Sequence, residues 1–192
     1  MADHTLNVLT VCGSLRKGSY NAALARLLPS LAPEGMSITP APAWHTMPIY
    51  NHDIQDTTGF PAEVTVWADA IRAADGVIIV SPEYNWTIPG GLKNAIDWVS
   101  RLKDVPFKEK PVALQSAVAG VLGGSRMQYH MRQCLTSIDA FLYGKPEVLV
   151  TFAPKKFDEK TQALTDQPTI DILKLQLAGF DKFIRRLHPG KK

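Results

Sequence analysis

Two stretches of the chain combine residue types at spacings that suit ligand binding. The first is Gly13-Ser-Leu-Arg-Lys-Gly-Ser-Tyr-Asn21, which follows a β-branched apolar run and leads directly into a helical pattern. A phosphate is held best by backbone N–H groups at a helix N-terminus, by hydroxyl donors and by a fixed cation. This loop offers all three: Ser14 and Ser19 as hydroxyls, Arg16 as a fork, and Gly13 and Gly18 for tight turning. Asn21 adds a side-chain amide in the first turn of the helix. The spacing is not Gly-x-x-x-x-Gly-Lys-Ser/Thr, because Lys17 precedes Gly18, and it is not Gly-x-Gly-x-x-Gly. That argues against a P-loop NTPase and against a Rossmann dehydrogenase. A plainer reading makes Ser19 an N-cap, and capping and phosphate binding are compatible because they use the same donors.

The second stretch is Ser81-Pro-Glu-Tyr-Asn-Trp-Thr-Ile-Pro-Gly-Gly91. It suits a flat ring with polar edges. Tyr84 and Trp86 offer apolar faces, and the backbone from Glu83 to Trp86 can meet the hydrogen-bonding edge. Pro82 and Pro89 stiffen the loop. The alternative is a packed turn around two core aromatics. A third segment, Gly120-Val-Leu-Gly-Gly-Ser-Arg126, places glycines where backbone can approach a ligand closely. Its plain reading is a turn before a helix, with Ser125 as cap.

These segments need a scaffold that brings them together. Apolar runs at 6–11, 36–39, 76–80, 111–117 and 147–152 read as strands, and periodic stretches at 19–31, 62–74, 91–103, 126–141 and 168–187 read as helices. Five βα units with continuous apolar strands imply an α/β doubly wound, five-stranded parallel sheet in a single domain spanning residues 1–192. The three loops follow strands one, three and four, whose carboxyl ends are neighbours in such a sheet. Two Pro-rich stretches, 40–61 and 153–168, are long for plain connections and are candidates for lid or interface roles.

Bulk properties narrow the class. With 45% hydrophobic and 20% charged residues, the 192-residue chain is an ordinary globular sequence rather than a disordered one. A net charge of +3, without a Lys/Arg stripe interleaved with aromatics, argues against nucleic acid. Lys155-Lys156 and Lys191-Lys192 read as solvated, and the mild positive field favours anionic substrates. Cys12 and Cys134 match no metal or redox spacing, Cys12 reading as a small buried hydrophobe. Residues 1–7 carry no basic patch, and no apolar run approaches the roughly 20 residues of a membrane span. Cytoplasm is the expected compartment. The five histidines are scattered, no nucleophile–base pair is evident, and neither a catalytic side chain nor a metal is expected. Met127 and His130 read as surface or interface groups.

Taken in order, Gly13-Ser-Leu-Arg-x-x-Ser-x-Asn21 and Ser81-Pro-Glu-Tyr-Asn-x-x-x-Pro-Gly-x-Leu-Lys-Asn-Ala-x-Asp-Trp98 resemble the NADPH-dependent FMN reductase family. The bacterial quinone and chromate reductase branch is the nearest likeness, over roughly residues 5 to 187. The resemblance implies a flavodoxin-like fold with non-covalent FMN, NADPH or NADH as co-substrate, small-molecule acceptors, and a homodimer or homotetramer. It places Ser14, Arg16, Ser19, Tyr20 and Asn21 at the FMN phosphate. Pro82, Glu83, Tyr84, Asn85 and Trp86 then line the isoalloxazine and ribityl chain. Two positions depart from the pattern: Trp86 stands where relatives often carry Tyr or His, and Ala117-Val118 replaces serines, leaving a backbone contact at Val118. The flavin then does the chemistry, hydride entering at N5 and leaving to a quinone or chromate in a ping-pong cycle.

Two alternatives stay open: a flavodoxin-like electron carrier, though the acidic surface of such carriers is missing, and a non-catalytic FMN-binding protein. Arg101 is a candidate cation for anionic substrates, against the plain reading of a solvated helix-end arginine. Arg126, Tyr129, His130 and Arg132 form a candidate subunit contact. The apolar 40–61 segment is a candidate wall for a neighbouring subunit's site. The alternatives there are packing on its own sheet edge and an Arg126–Glu147 pair.

Overall fold

In a computed structural model, which describes residues 4–188, the strands form a parallel sheet. Five strands are β1 (Leu6–Cys12), β2 (Met36–Pro40), β3 (Gly76–Val80), β4 (Pro111–Ala117) and a short β5 (Phe141–Leu142). A sixth, β6 (Val148–Val150), also pairs with β4, so the order is β2-β1-β3-β4 followed by β5 and β6 along one edge. The registers are parallel throughout, for example Val8 opposite Gly76 and Val77 opposite Val112. The expected last strand at 147–152 is thus shorter and is preceded by a separate piece. The helix expected to run to 141 stops at Thr136, freeing Phe141 and Leu142 to pair. Pro146, which has no N–H to give a ladder, falls between the two pieces.

Helices α1 (Tyr20–Leu31), α2 (His52–Thr58), α3 (Ala62–Ala73), α4 (Gly90–Val99), α5 (Ser125–Thr136) and α6 (Gln167–Leu187) complete the chain. Alternate strand residues face opposite sides, and each side has its own apolar core. Leu9, Val11, Val77, Ile79 and Leu114 pack with α3, α4 and α5, while Val8, Ile78, Val80, Ala113 and Val150 pack with α1 and α6. Burial on both faces explains why these strands read as continuous apolar runs. Met127, read from sequence as a surface or interface residue, lies in the first of these cores. The last residues of the chain, including Lys191 and Lys192, lie outside the described part.

The 40–61 segment is a strap that packs on its own domain. Trp44 and Met47 are buried; the Trp44 indole donates to Cys12 O (3.0 Å) and sits where a Cβ on Gly91 would strike it. Asn94 and the Trp98 indole both donate to Pro48 O, and Tyr50 and Phe60 meet the Trp98 ring edge-on. Ile49 alone of these apolar residues points out, 79% exposed. α2 lies inside this stretch and packs only Ile54, half-buried, against the core, so it leaves no apolar periodicity to read. Lys156 also departs from expectation: it is largely buried against Asp166 (3.4 Å) and Thr169.

Candidate active site

The carboxyl ends of β1, β3 and β4 meet around a cavity of about 240 Å³. Ser14, Arg16, Ser19, Tyr20 and Asn21 come from one side, Pro82, Glu83 and Tyr84 from a second, and Ala117, Val118 and Ala119 from a third. Nine of the residues singled out by sequence thus share one cavity. Asn85 and Trp86 sit in the hairpin at its margin, and Arg101 does not line it. Ala119 lines it too; a short apolar residue gives no chemical signal in a sequence.

The β1–α1 loop is a row of open donors. Among the described residues, the backbone N–H groups of 14–18 find no acceptor, while Gly13 N bonds Val80 O and Ser19 N bonds Arg16 O. Ser19 caps α1 by accepting from Ala22 N (3.2 Å), which leaves its hydroxyl proton free to donate. The Arg16 guanidinium folds back to Gly18 O and lies 5.9 Å from the Tyr20 ring centre. Gly13 is required by packing, because a Cβ there would lie 2.4 Å from the Ser81 hydroxyl. Asn21 lines the cavity, but its amide is already engaged by the protein. It is buried, its Nδ2 donates to Ala117 O (2.8 Å), and its Oδ1 accepts from Ala117 N (2.9 Å). It locks α1 to the end of β4.

The β3–α4 loop is closed on itself. Tyr84 and Thr87 exchange two backbone bonds of 3.0 Å around Asn85 and Trp86, both with left-handed φ (48° and 68°). This is the geometry of a primed two-residue hairpin, adopted by Asn readily and by Trp at a cost. It holds the Trp86 indole out of the core, 66% exposed, with the Arg126 guanidinium 4.0 Å from its ring centre. Nothing in the spacing of the two residues announces that pair. Glu83 accepts from Met127 N (3.1 Å) and faces Arg126 at 3.9 Å. A carboxylate thus serves the N-terminus of α5, whose cap position is Gly124 in a left-handed conformation without a side-chain cap. Ser125, the expected cap, is the first residue of the helix itself.

The β4–α5 glycines differ in purpose. A Cβ on Gly123 would meet Leu149, and one on Gly124 would meet Ser116, at under 3 Å, so both allow the protein to approach itself. Gly120 faces open space. Ser116 donates to Gly123 O (2.5 Å) and accepts from Gln128, which fixes the loop from beneath. Arg132, not Arg126, pairs with Glu147 (3.6 Å). Arg101, just past α4, lies over the Tyr50 ring at 5.9 Å. His130 meets the Thr87 hydroxyl at 2.8 Å on the exposed face of α5. Burial pushes the Cys12 thiol above its ordinary range, which suppresses thiolate chemistry. No cluster of His, Cys, Asp or Glu among the described residues is arranged to hold a metal ion.

This donor set fits a phosphate monoester attached to a flat ring. Ser14, Arg16 and Ser19 line the cavity from the loop with the unpaired N–H groups, and Tyr84 lines it with Trp86 beside it in the hairpin. The arrangement is that of a flavodoxin-like protein, with its site at the carboxyl ends of the central strands. Comparisons agree. Residues 6–155 match the model of the NADPH-dependent FMN reductase family, and the chain belongs to that family. FMN is its cofactor and NAD(P)H its electron donor. The chain is 50% identical over 182 residues to a quinone reductase of Escherichia coli (strain K12), covering 95% of this chain and 97% of that one. An NAD(P)H-dependent FMN reductase of Pseudomonas aeruginosa is 42% identical, with the same coverage of both chains. Among solved structures, the flavoenzyme NAD(P)H:(acceptor) oxidoreductase FerB of Paracoccus denitrificans superposes with a TM-score of 0.84 at 28% identity. That match covers 94% of this chain and 98% of FerB.

Proposed function

We propose that this protein is an NAD(P)H:quinone oxidoreductase that also reduces oxidised metal anions such as chromate. The observation that carries the reading is the open N–H row of residues 14–18 beside a rigid aromatic hairpin, at the mouth of a single cavity. FMN held there would supply the redox chemistry, linking oxidation of the nicotinamide to reduction of the acceptor in two separate half-reactions.

The chain's own groups bind, orient and exclude water. Backbone N–H groups of 14–18, the hydroxyls of Ser14 and Ser19 and the Arg16 guanidinium hold the phosphate dianion at the start of α1. Tyr20 closes the cradle beside Arg16, and Asn21 acts at one remove by fixing Ala117. Pro82, Glu83 and Tyr84 form one side of the ring slot; Val118 lines the other, but its N–H is given to Val150 O and its carbonyl accepts from Ala153 N, so it offers contact surface rather than the free backbone donor expected from the sequence. Asn85 and Trp86 wall the open face, where Arg126 places positive charge for an anionic donor or acceptor. Arg101 reaches an anionic substrate from a neighbouring subunit in a homodimer or homotetramer, with Tyr129 and His130 of α5 exposed at the contact. The compartment is the cytoplasm, and no helix among the described residues is long and apolar enough to cross a membrane.

Steady-state NADPH oxidation with varied quinone tests the reading. Parallel double-reciprocal lines are expected. Intersecting lines would replace the two-stage cycle with a ternary complex, and FMN-loaded protein without quinone turnover would make it a carrier.

A further inference from the structure

A second cavity, of about 540 Å³, lies on the far side of the phosphate loop from the ring slot. The ring slot sits between β1, β3 and β4. This cavity opens between α1 and the segment that follows β2, on the other flank of β1. Its size falls within the roughly 300–1,000 Å³ of small-molecule sites. Neither the cofactor nor the acceptor reading uses it.

The walls are small and stiff. Ala22, Ala25 and Pro29 of α1 face Pro40, Ala43 and Trp44, so short side chains leave the space and prolines limit its collapse. Trp44, 6% exposed, adds a narrow aromatic edge whose position is fixed by its bond to Cys12 O. The charge is one-sided. No Asp or Glu lines the cavity, and Arg26 brings its one permanent charge. Arg72, Arg126, Arg132 and Arg185 each face a carboxylate within 4.0 Å. Arg26 has no such partner among the described residues; its guanidinium donates only to the neutral Gln162 Oε1, at 3.3 Å. An uncompensated fork at the edge of an apolar slot is complementary to a carboxylate carried on a flat hydrophobic body.

We propose that this cavity is a second ligand site, distinct from the flavin slot, which takes a small aromatic carboxylate with its ring on Trp44 and its anion on Arg26. The inference goes beyond the reductase reading and does not depend on which acceptor is reduced. Ser14 and Leu15 of the phosphate loop also line the cavity, so the test uses protein already loaded with FMN.

Calorimetric titration with naphthoate should show one saturable site per chain. Arg26→Met should weaken it roughly tenfold, the loss expected for a charge-assisted contact. Naphthamide, the neutral isostere, should bind the native protein as weakly as naphthoate binds that variant. Ala25→Phe fills the space from α1 and should abolish binding while FMN content and absorbance stay native. Ala43→Phe does the same from the opposite wall if the first variant folds poorly. Equal naphthoate affinity in the native and variant proteins would place the ligand at the flavin face and overturn the proposal. Absence of saturable binding to the native protein would overturn it too.

Discussion

Residues 14–18 donate no backbone N–H to any described acceptor, whereas across the same cavity Tyr84 and Thr87 exchange two such bonds and Glu83 ties the hairpin to α5. One wall of the site is therefore finished by the protein and the other is left for a ligand to finish. The finished wall includes a bulky residue at positive φ, held by a closed hairpin and a stacked guanidinium. The open wall is tied to β3 by Gly13 N and to α1 by the Ser19 cap, with Ser19 N on Arg16 O and the Arg16 guanidinium on Gly18 O between them. In the proposed site this contrast divides the work: the closed hairpin sets geometry at the ring, and the unmet donors supply affinity at the phosphate.

Substitutions on each wall test that division. The largest effect is expected at Asn21, which joins the open loop's helix to β4. Asn21→Ala leaves the buried Ala117 N and O without partners, and the unfolding free energy should fall by about 2–4 kcal/mol. Urea titration should show a lower midpoint at unchanged slope; native stability would mean packing alone holds α1 to β4. Next is Arg16→Ala, which should weaken FMN binding by about 2–3 kcal/mol, because it removes a charge-assisted contact. The apoprotein should keep its stability to within about 0.5 kcal/mol. An unchanged FMN affinity, read by fluorescence titration, would show that the open donors do not hold the phosphate.

On the finished wall, Trp86→Gly should barely change stability. Glycine relieves a left-handed conformation at a gain of about 1–2 kcal/mol, and loss of the Arg126 stack removes about 0.5–1 kcal/mol. The acceptor KM should rise instead, and a thermal melt beside quinone kinetics separates the two effects. The smallest effect serves as a reference outside both walls. The Asp166 carboxyl lies below its ordinary value because Thr169 donates to it, with Lys156 nearby. A lowered carboxyl stabilises the fold above the unfolded-state pKa, and that stability is lost as pH falls through the folded value. Native protein should therefore exceed Asp166→Asn in stability near neutrality by less than about 1 kcal/mol, since the pair is partly exposed and Asn also caps well. The two should converge in acid, below the ordinary carboxylate range. A gap that persists there would assign the difference to the cap geometry rather than to charge.

Apolar patterning made the sheet legible. Gly76–Val80 and Pro111–Ala117 are buried along their whole length and stand out as unbroken runs. The site loops were legible because their residue types are unusual for plain turns, and nine of the expected residues line one cavity. What the sequence conceals is what one residue does to another far along the chain. Asn21 looks like a free amide until β4 arrives beside it, and Glu83 looks like a ring contact until α5 presents Met127 N. Gly123 and Gly124 read as ligand-facing, yet Leu149 and Ser116 occupy the space their missing side chains leave. α2 went unseen because a helix with one half-buried apolar residue, Ile54, has no apolar stripe, and β5 because a two-residue strand is shorter than any period.

The exposure of Trp86 also has an optical side. Trp67 and Trp98 are fully buried and Trp44 nearly so, while Trp86 alone meets water, at the rim of the flavin slot. The long-wavelength edge of the protein's ultraviolet emission therefore belongs to one side chain. In the proposed site that side chain would stand beside a chromophore that absorbs where indole emits. With FMN bound as proposed, the chain should carry its own fluorescent gauge of cofactor occupancy, needing no label, whose signal is expected to dim as FMN is added.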